Sequence, residues 1–281
     1  MPTRREVIDR IGRALAPLYE ANEAMQIART VLFDRCGLTL TDYALHPDAE
    51  AEIPDLDQLV GQLAAGRPVQ YVLGRTEFCG GCFEVREGVL IPRPETEELV
   101  AAVAAEAPAG SRLLDVGTGS GCIAVSLARL RPDLHATAVD LSEQALAVAR
   151  RNAARAKVDV RFLRADALGG LAELPDRTFD VIVSNPPYVP MRDRAAMHPN
   201  VREYEPAEAL FVPDDDPLCF YRAIARAARR LLCDGGGLWF EVYERLAGET
   251  ARLLTEEGFD EVGIRRDINE KPRIVCCRQR K

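Results

Sequence analysis

Long hydrophobic runs are missing from this 281-residue chain. Nothing approaches the roughly 18 consecutive apolar residues that a membrane-spanning helix needs, so no membrane role is expected. The opening, MPTRREVIDRIGRAL, carries charge at helical spacing and lacks the basic-then-apolar order of a secretory leader. The cytoplasm is the expected compartment. Positive charge is in deficit, with a formal net charge of −8. That argues against a broad grip on a nucleic-acid backbone, which needs clustered Lys and Arg, although a local basic patch stays open. Histidine is scarce: His46, His135 and His198 are far apart in sequence. Internal repeats and low-complexity tails are absent as well.

Cysteine is not scarce, at eight residues, yet only Cys79-Gly80-Gly81-Cys82 has the spacing of a metal or redox pair. No second such pair and no nearby His completes a zinc site. No metal is expected, and free, mostly buried thiols suit a reducing compartment. What remains is an ordinary globular composition, 47% apolar and 28% charged, in a chain long enough for one large domain or two of usual size.

Residues 1–72 show helical periodicity and no convincing strand. Val7, Ile8, Ile11, Leu15 and Leu18 recur at spacings of three and four. A second helix follows over 22–36, and a third carries Leu56, Leu59, Val60 and Leu63. Residues 73–94 change character. Two β-prone runs flank Gly80-Gly81 and read as a hairpin connector, which then leads into Ile91-Pro92-Arg93-Pro94-Glu95-Thr96. Residues 95–281 alternate strand and helix, the pattern of a doubly wound α/β sheet with right-handed crossovers. In this part a tight turn is expected at Gly235-Gly236-Gly237, and the last two strands, 260–266 and 273–278, are expected to close the sheet as a hairpin.

Asp115-x-Gly117-x-Gly119-x-Gly121 lies where the first strand of that sheet gives way to a helix. Glycines there tolerate positive φ and let a ligand lie against the backbone. The spacing is not the G-x-G-x-x-G of the dinucleotide fingerprint. Asp140, at the end of the next strand, is placed to accept both hydroxyls of a ribose, a role shared by NAD and S-adenosylmethionine enzymes. Asp166, after the third strand, either touches an adenine or is a solvated loop carboxylate.

Ser184-Asn185-Pro186-Pro187-Tyr188 ends the fourth strand. The prolines remove N–H donors and restrict the backbone, leaving Asn and Tyr on a stiff turn at the edge where open α/β sheets bind ligands. The Asn185 side chain and the Pro186 carbonyl can take both hydrogens of an NH2 group, with the Tyr188 ring over its planar face. A planar amide nitrogen is a poor nucleophile because its lone pair is delocalised. Holding both N–H groups orients it and favours pyramidalisation, which frees the lone pair. A hydride-transfer enzyme has no use for such a turn.

These motifs resemble those of the PrmC/HemK family of release-factor glutamine methyltransferases. The resemblance extends over nearly the whole chain through residues 68–74, through 83–96 ending in Leu90-Ile91-Pro92-Arg93-Pro94-Glu95-Thr96, through Val201-Arg202-x-Tyr204-Glu205-Pro206, and through Asn269-Glu270. Asn-Pro-Pro-Tyr alone is shared with enzymes that methylate nucleic-acid amino groups, so methylation of rRNA or DNA is the alternative function. The acidic balance and the lack of a basic or aromatic-rich reading module stand against it.

The resemblance implies an α/β fold of the class I S-adenosylmethionine-dependent methyltransferase type. It is a Rossmann-like, seven-stranded mixed sheet preceded by a small N-terminal helical domain (release-factor docking) and a β-hairpin connector. It implies methyl transfer from S-adenosyl-L-methionine, leaving S-adenosyl-L-homocysteine, to the glutamine amide of the Gly-Gly-Gln loop in peptide chain release factors. By position, Gly117, Thr118, Gly119, Ser120, Gly121, Asp140, Asp166, Ala167 and Asn185 would bind the cofactor. Asn185, Pro186 and Tyr188 would be catalytic, and the same residues with Pro187 and Arg93 would hold the substrate. Some family members carry an aromatic residue where this chain has Ala167. Arg93 is otherwise a salt-bridged linker residue.

Overall fold

The structure, a computed structural model, describes residues 1–280. It divides into two compact units, one of Met1–Arg75 with His198–Tyr204, the other of Thr76–Met197 with the chain from Glu205 onward. Among the described residues no helix is long and apolar enough to cross a membrane.

The first unit is helical: Arg4–Leu15, Ala21–Cys36, Leu40–Leu45, Leu56–Ala64 and Val69–Leu73. Thr3 starts the first helix with a capping box, its hydroxyl accepting from Glu6 N while the Glu6 carboxylate accepts from Thr3 N, a device worth about 1 kcal/mol. The apolar face of that helix, Val7, Ile8, Ile11 and Leu15, packs on Val31, Leu32, Leu59 and Leu63 in a core of its own. A short helix, Pro199–Tyr204, returns to this unit from far along the chain. The Tyr204 hydroxyl donates to the Ala65 carbonyl at 2.8 Å, and His198 stacks on Tyr19 with ring centroids 4.9 Å apart. That return lies outside the expected 1–72 segment, and nothing local announces it because its partners are distant in sequence.

A hairpin follows, β1 (Arg75–Phe78) and β2 (Gly81–Glu84). Its tight turn is Cys79-Gly80, one residue earlier than the glycine pair suggests, and both residues have positive φ, as a two-residue hairpin loop requires. Arg129 secures the turn by donating to the Cys79 and Gly80 carbonyls.

The large sheet follows as β3 (Arg112–Val116), β4 (His135–Asp140), β5 (Val160–Arg164) and β6 (Phe179–Ser184). A two-stranded parallel pair, β7 (Val189–Pro190) and β8 (Phe211–Val212), comes next, then β9 (Leu232–Glu241), β10 (Asp260–Arg266) and β11 (Pro272–Arg278). The seven strands are ordered β10-β11-β9-β6-β3-β4-β5. The strands from β9 through β5 are parallel to one another, while β11 is antiparallel to β9 and to β10. The mixed sheet of a methyltransferase and its closing hairpin are thus present as expected.

Successive residues on each strand feed opposite faces. Leu114, Ile182, Leu238 and Val275 join the core beneath helices Cys219–Leu231 and Ala247–Glu256. Leu113, Val181, Trp239 and Ile274 join the other, beneath Thr96–Glu106 and Cys122–Leu130. Cys277 and Cys276 fall on these two faces in turn. One expectation fails: Gly235-Gly236-Gly237 is not a turn between elements but lies inside β9. The register against β6 jumps there from Phe179–Leu232 to Val181–Gly237. A Cβ on Gly236 would meet the Cys233 and Asp180 carbonyl oxygens at 3.0 and 3.1 Å. The glycines therefore form a bulge that only bare backbone can enter.

Candidate active site

The carboxyl ends of β3, β4 and β6 meet where the strand order reverses, the place ligands occupy in an open α/β sheet. Ser184 ties two of these ends together, its buried hydroxyl donating to the Val116 carbonyl at 2.6 Å. A cavity of about 560 Å³ opens there, within the size range of small-molecule sites.

Its glycine-rich wall is built from the turn after β3. Gly117 and Gly119 have φ of +73° and +56°, and a Cβ added to either would meet open space, so bare backbone faces the cavity. Asp115 lies beneath the turn, fully buried. Its Oδ2 accepts from the Thr118 hydroxyl at 2.6 Å and from Ala124 N at 3.2 Å, while Oδ1 has no partner among the described residues. Burial raises its carboxyl to a pKa of about 7, against the pull of the Thr118 hydroxyl. Asn152 fixes the turn from behind, donating to the Ser120 and Glu84 carbonyls and accepting from Glu84 N.

Asp140 stands at the end of β4 with Oδ2 on Gly119 N at 2.8 Å and Oδ1 on Ser142 N at 2.9 Å. Burial pushes its carboxyl above the ordinary range, and these N–H donors only partly offset that. Each oxygen can accept a further donor, which suits a diol. Asp166 also lines the cavity and uses Oδ1 to accept from Leu168 N at 2.9 Å. Around Ala167, Leu141 and Leu168 bring exposed apolar side chains to the rim.

The opposite wall is Asn185-Pro186-Pro187 after β6, with Arg93 nearby. Asn185 Nδ2 donates to the Thr96 hydroxyl at 3.2 Å, and no donor among the described residues reaches its Oδ1. No backbone N–H of the described residues donates to the Pro186 carbonyl. Thr96 in turn donates to Glu241 Oε2 at 2.6 Å. Burial pushes the Glu241 carboxyl up, while the Thr96 hydroxyl and the charge of Arg273 favour its ionised form. Arg93 pairs with the buried Glu205 at 2.6 Å, and Glu205 also accepts from Ile91 N at 3.1 Å. Arg93 thus lines the cavity and is ion-paired at once.

Two expected residues sit differently. Gly121 does not line the cavity; its φ is +82°, and a Cβ there would come within 2.9 Å of Ala149 Cβ. Its missing side chain makes room for the helix Glu143–Ala156. Tyr188 is also absent from the cavity wall. Its ring stacks on Tyr243 at 6.0 Å between centroids and 10° between planes, and its hydroxyl is 3.3 Å from Glu241 Oε1. It backs the turn instead of covering the cavity. Thr96, Glu241, Glu205 and Asn152 were missed as site residues. An acid inside the apolar run Leu238-Trp239-Phe240-Glu241-Val242 was the available signal.

S-Adenosylmethionine fits this wall: bare glycine backbone, an acid able to accept from a diol, and an apolar rim. Fold and site together define a Rossmann-like S-adenosylmethionine-dependent methyltransferase. The family model for the methyltransferase small domain matches residues 95–203, and that for the PrmC N-terminal domain matches residues 6–74. The chain belongs to the release factor glutamine methyltransferase family. It is 40% identical over 268 residues to the release factor glutamine methyltransferase of Bacteroides thetaiotaomicron, covering 94% of this chain and 96% of that one. Over 279 residues it is 39% identical to the one from Geobacter sulfurreducens, with 97% and 95% covered. A methyltransferase from Pyrococcus furiosus shares the fold, with a TM-score of 0.53 at 19% identity over 71% of this chain and 89% of that one.

Proposed function

We propose that this enzyme methylates the side-chain amide nitrogen of the glutamine in the Gly-Gly-Gln loop of peptide chain release factors. The observation that carries the reading is the Asn185-Pro186 turn, which lines the cavity and whose Asn185 Oδ1 and Pro186 carbonyl have no donor among the described residues. Together they form a two-point acceptor for a primary amide. The relatives' names supply the macromolecule that bears it.

Asp140 and the backbone of Gly117, Thr118, Gly119 and Ser120 would hold the cofactor. Asp166 borders it, and Leu141 and Leu168 give the apolar cover that Ala167 is too small to provide. Bound S-adenosylmethionine supplies an electrophilic methyl group on a sulfonium centre. Asn185 and the Pro186 carbonyl would accept from the two N–H groups of the substrate amide and so hold its nitrogen in one orientation. Polarised this way, the nitrogen gains access to its lone pair. No strong base is needed, because the nitrogen becomes acidic once alkylated and releases its proton to solvent. Pro187 stiffens the turn and Tyr188 buttresses it. Arg93, held by Glu205, flanks the substrate side. The helical unit serves to dock the release factor, in the cytoplasm, and the acidic chain makes no direct contact with nucleic acid.

The test uses methyl-labelled S-adenosylmethionine with purified release factor. Label should enter the release factor and disappear when the loop glutamine is changed to Ala. Label entering RNA or DNA, with the release factor untouched, overturns the reading.

A further inference from the structure

Asn185 can grip an amide NH2 only if its oxygen faces the cavity. A carboxamide turned over would present its own NH2 to the substrate NH2, and two donors repel. The turn itself does not decide between these two orientations, because both ends of a carboxamide have the same shape. Something outside the turn has to set the polarity.

We propose that Thr96 and Glu241 are positioning residues that fix the orientation of the Asn185 amide; this rests on the acceptor role for Asn185 given above. The buried Thr96 hydroxyl has a single proton and lies 2.6 Å from Glu241 Oε2. The bond runs from the Thr96 hydroxyl to Glu241, and with Glu241 ionised its carboxylate can only accept, so that proton points to Glu241. The hydroxyl oxygen is left as an acceptor toward Asn185, at 3.2 Å. The Asn185 NH2 must therefore face Thr96, and Oδ1 must face the cavity. Glu241 polarises Thr96, and Thr96 polarises Asn185.

Glu241 is suited to the task. It ends β9, which pairs directly with β6, the strand that leads into Asn185. Its own backbone carbonyl accepts from the buried Tyr221 hydroxyl at 3.1 Å. Thr96 opens the helix Thr96–Glu106, and its N–H is held by the Arg93 carbonyl at 3.0 Å. Both ends of the relay are thus on rigid elements. This gives a use to the threonine that closes the Ile-Pro-Arg-Pro-Glu-Thr segment, and to an acid otherwise buried in an apolar run. The Tyr188 hydroxyl, at 3.3 Å from the other Glu241 oxygen, is too long a contact to set the polarity.

The experiment compares wild type, Thr96→Val, Thr96→Ser, Asn185→Ala and the double variant Thr96→Val/Asn185→Ala on the same release factor. Binding of S-adenosylmethionine is measured separately by calorimetry. Thr96→Val keeps the shape and loses the hydroxyl, so kcat should fall at least about tenfold with cofactor affinity unchanged. Thr96→Ser should restore most of the rate. In the Asn185→Ala background, Thr96→Val should cost nothing further, because it acts through Asn185. Wild-type turnover in Thr96→Val overturns the inference. So does a loss matched by weaker cofactor binding, a loss that Ser fails to restore, or a loss that adds fully to that of Asn185→Ala. A wild-type enzyme inactive on the release factor overturns the acceptor reading itself, and this inference with it.

Discussion

Asn185 and Asp140 face the same cavity from strands on either side of β3, and their replacements should separate cleanly. Asn185→Ala removes the acceptor on the substrate side. Turnover should drop about a hundredfold, as for loss of one preorganised transition-state contact, with cofactor affinity nearly intact by calorimetry. Equal loss of both would place Asn185 on the cofactor. Asp140→Ala strands the Gly119 and Ser142 N–H groups and removes the diol acceptor, so it should weaken cofactor binding at least about tenfold. Unchanged affinity would remove it from the site. Asp115 carries a pH signature. Its carboxyl titrates near 4 in an unfolded chain and at about 7 in the fold. Between those values the unfolded state releases a proton that the folded state keeps. Its stabilising contribution is therefore full below about pH 4 and lost as pH rises through about 7. Asp115→Asn should raise the thermal midpoint of the cofactor-free protein at pH 8. That gain should shrink to nothing near pH 4. A gain independent of pH would mean the carboxyl is not held neutral.

Elements explain which of these features could be read from sequence. The glycine turn, Asp140 and Asn-Pro-Pro-Tyr are local motifs at strand ends, so their spacing alone brought them to one sheet edge. Thr96 and Glu241 are separated by 145 residues, and only the insertion of β9 beside β6 makes them neighbours. At Gly235-Gly236-Gly237 a glycine run suits a turn and a bulge alike, and the choice between them depends on the register against β6. Gly121 looked like a ligand contact because it continues a cofactor motif, yet its space is taken by Ala149. Gly121→Ala should consequently cost about 1–3 kcal/mol by overpacking, aggravated by the positive φ. Denaturant unfolding of the cofactor-free protein would show it. An intact midpoint with lost cofactor binding would return Gly121 to the ligand site.

At the scale of the whole molecule, the chain is two units, each with its own core. The acidic balance and the helical first unit favour a protein acceptor, and the two-point acceptor at Asn185 and Pro186 favours a primary amide. These meet in one claim: the atom methylated is the side-chain amide nitrogen of a release-factor glutamine. Mass-spectrometric mapping of release factor incubated with the enzyme and S-adenosylmethionine tests it most directly. A single added methyl group is expected on the glutamine of the Gly-Gly-Gln loop, with fragment ions locating it on the side-chain amide. A methyl group on another residue, or none on the release factor while nucleic acid in the same reaction is methylated, would contradict it.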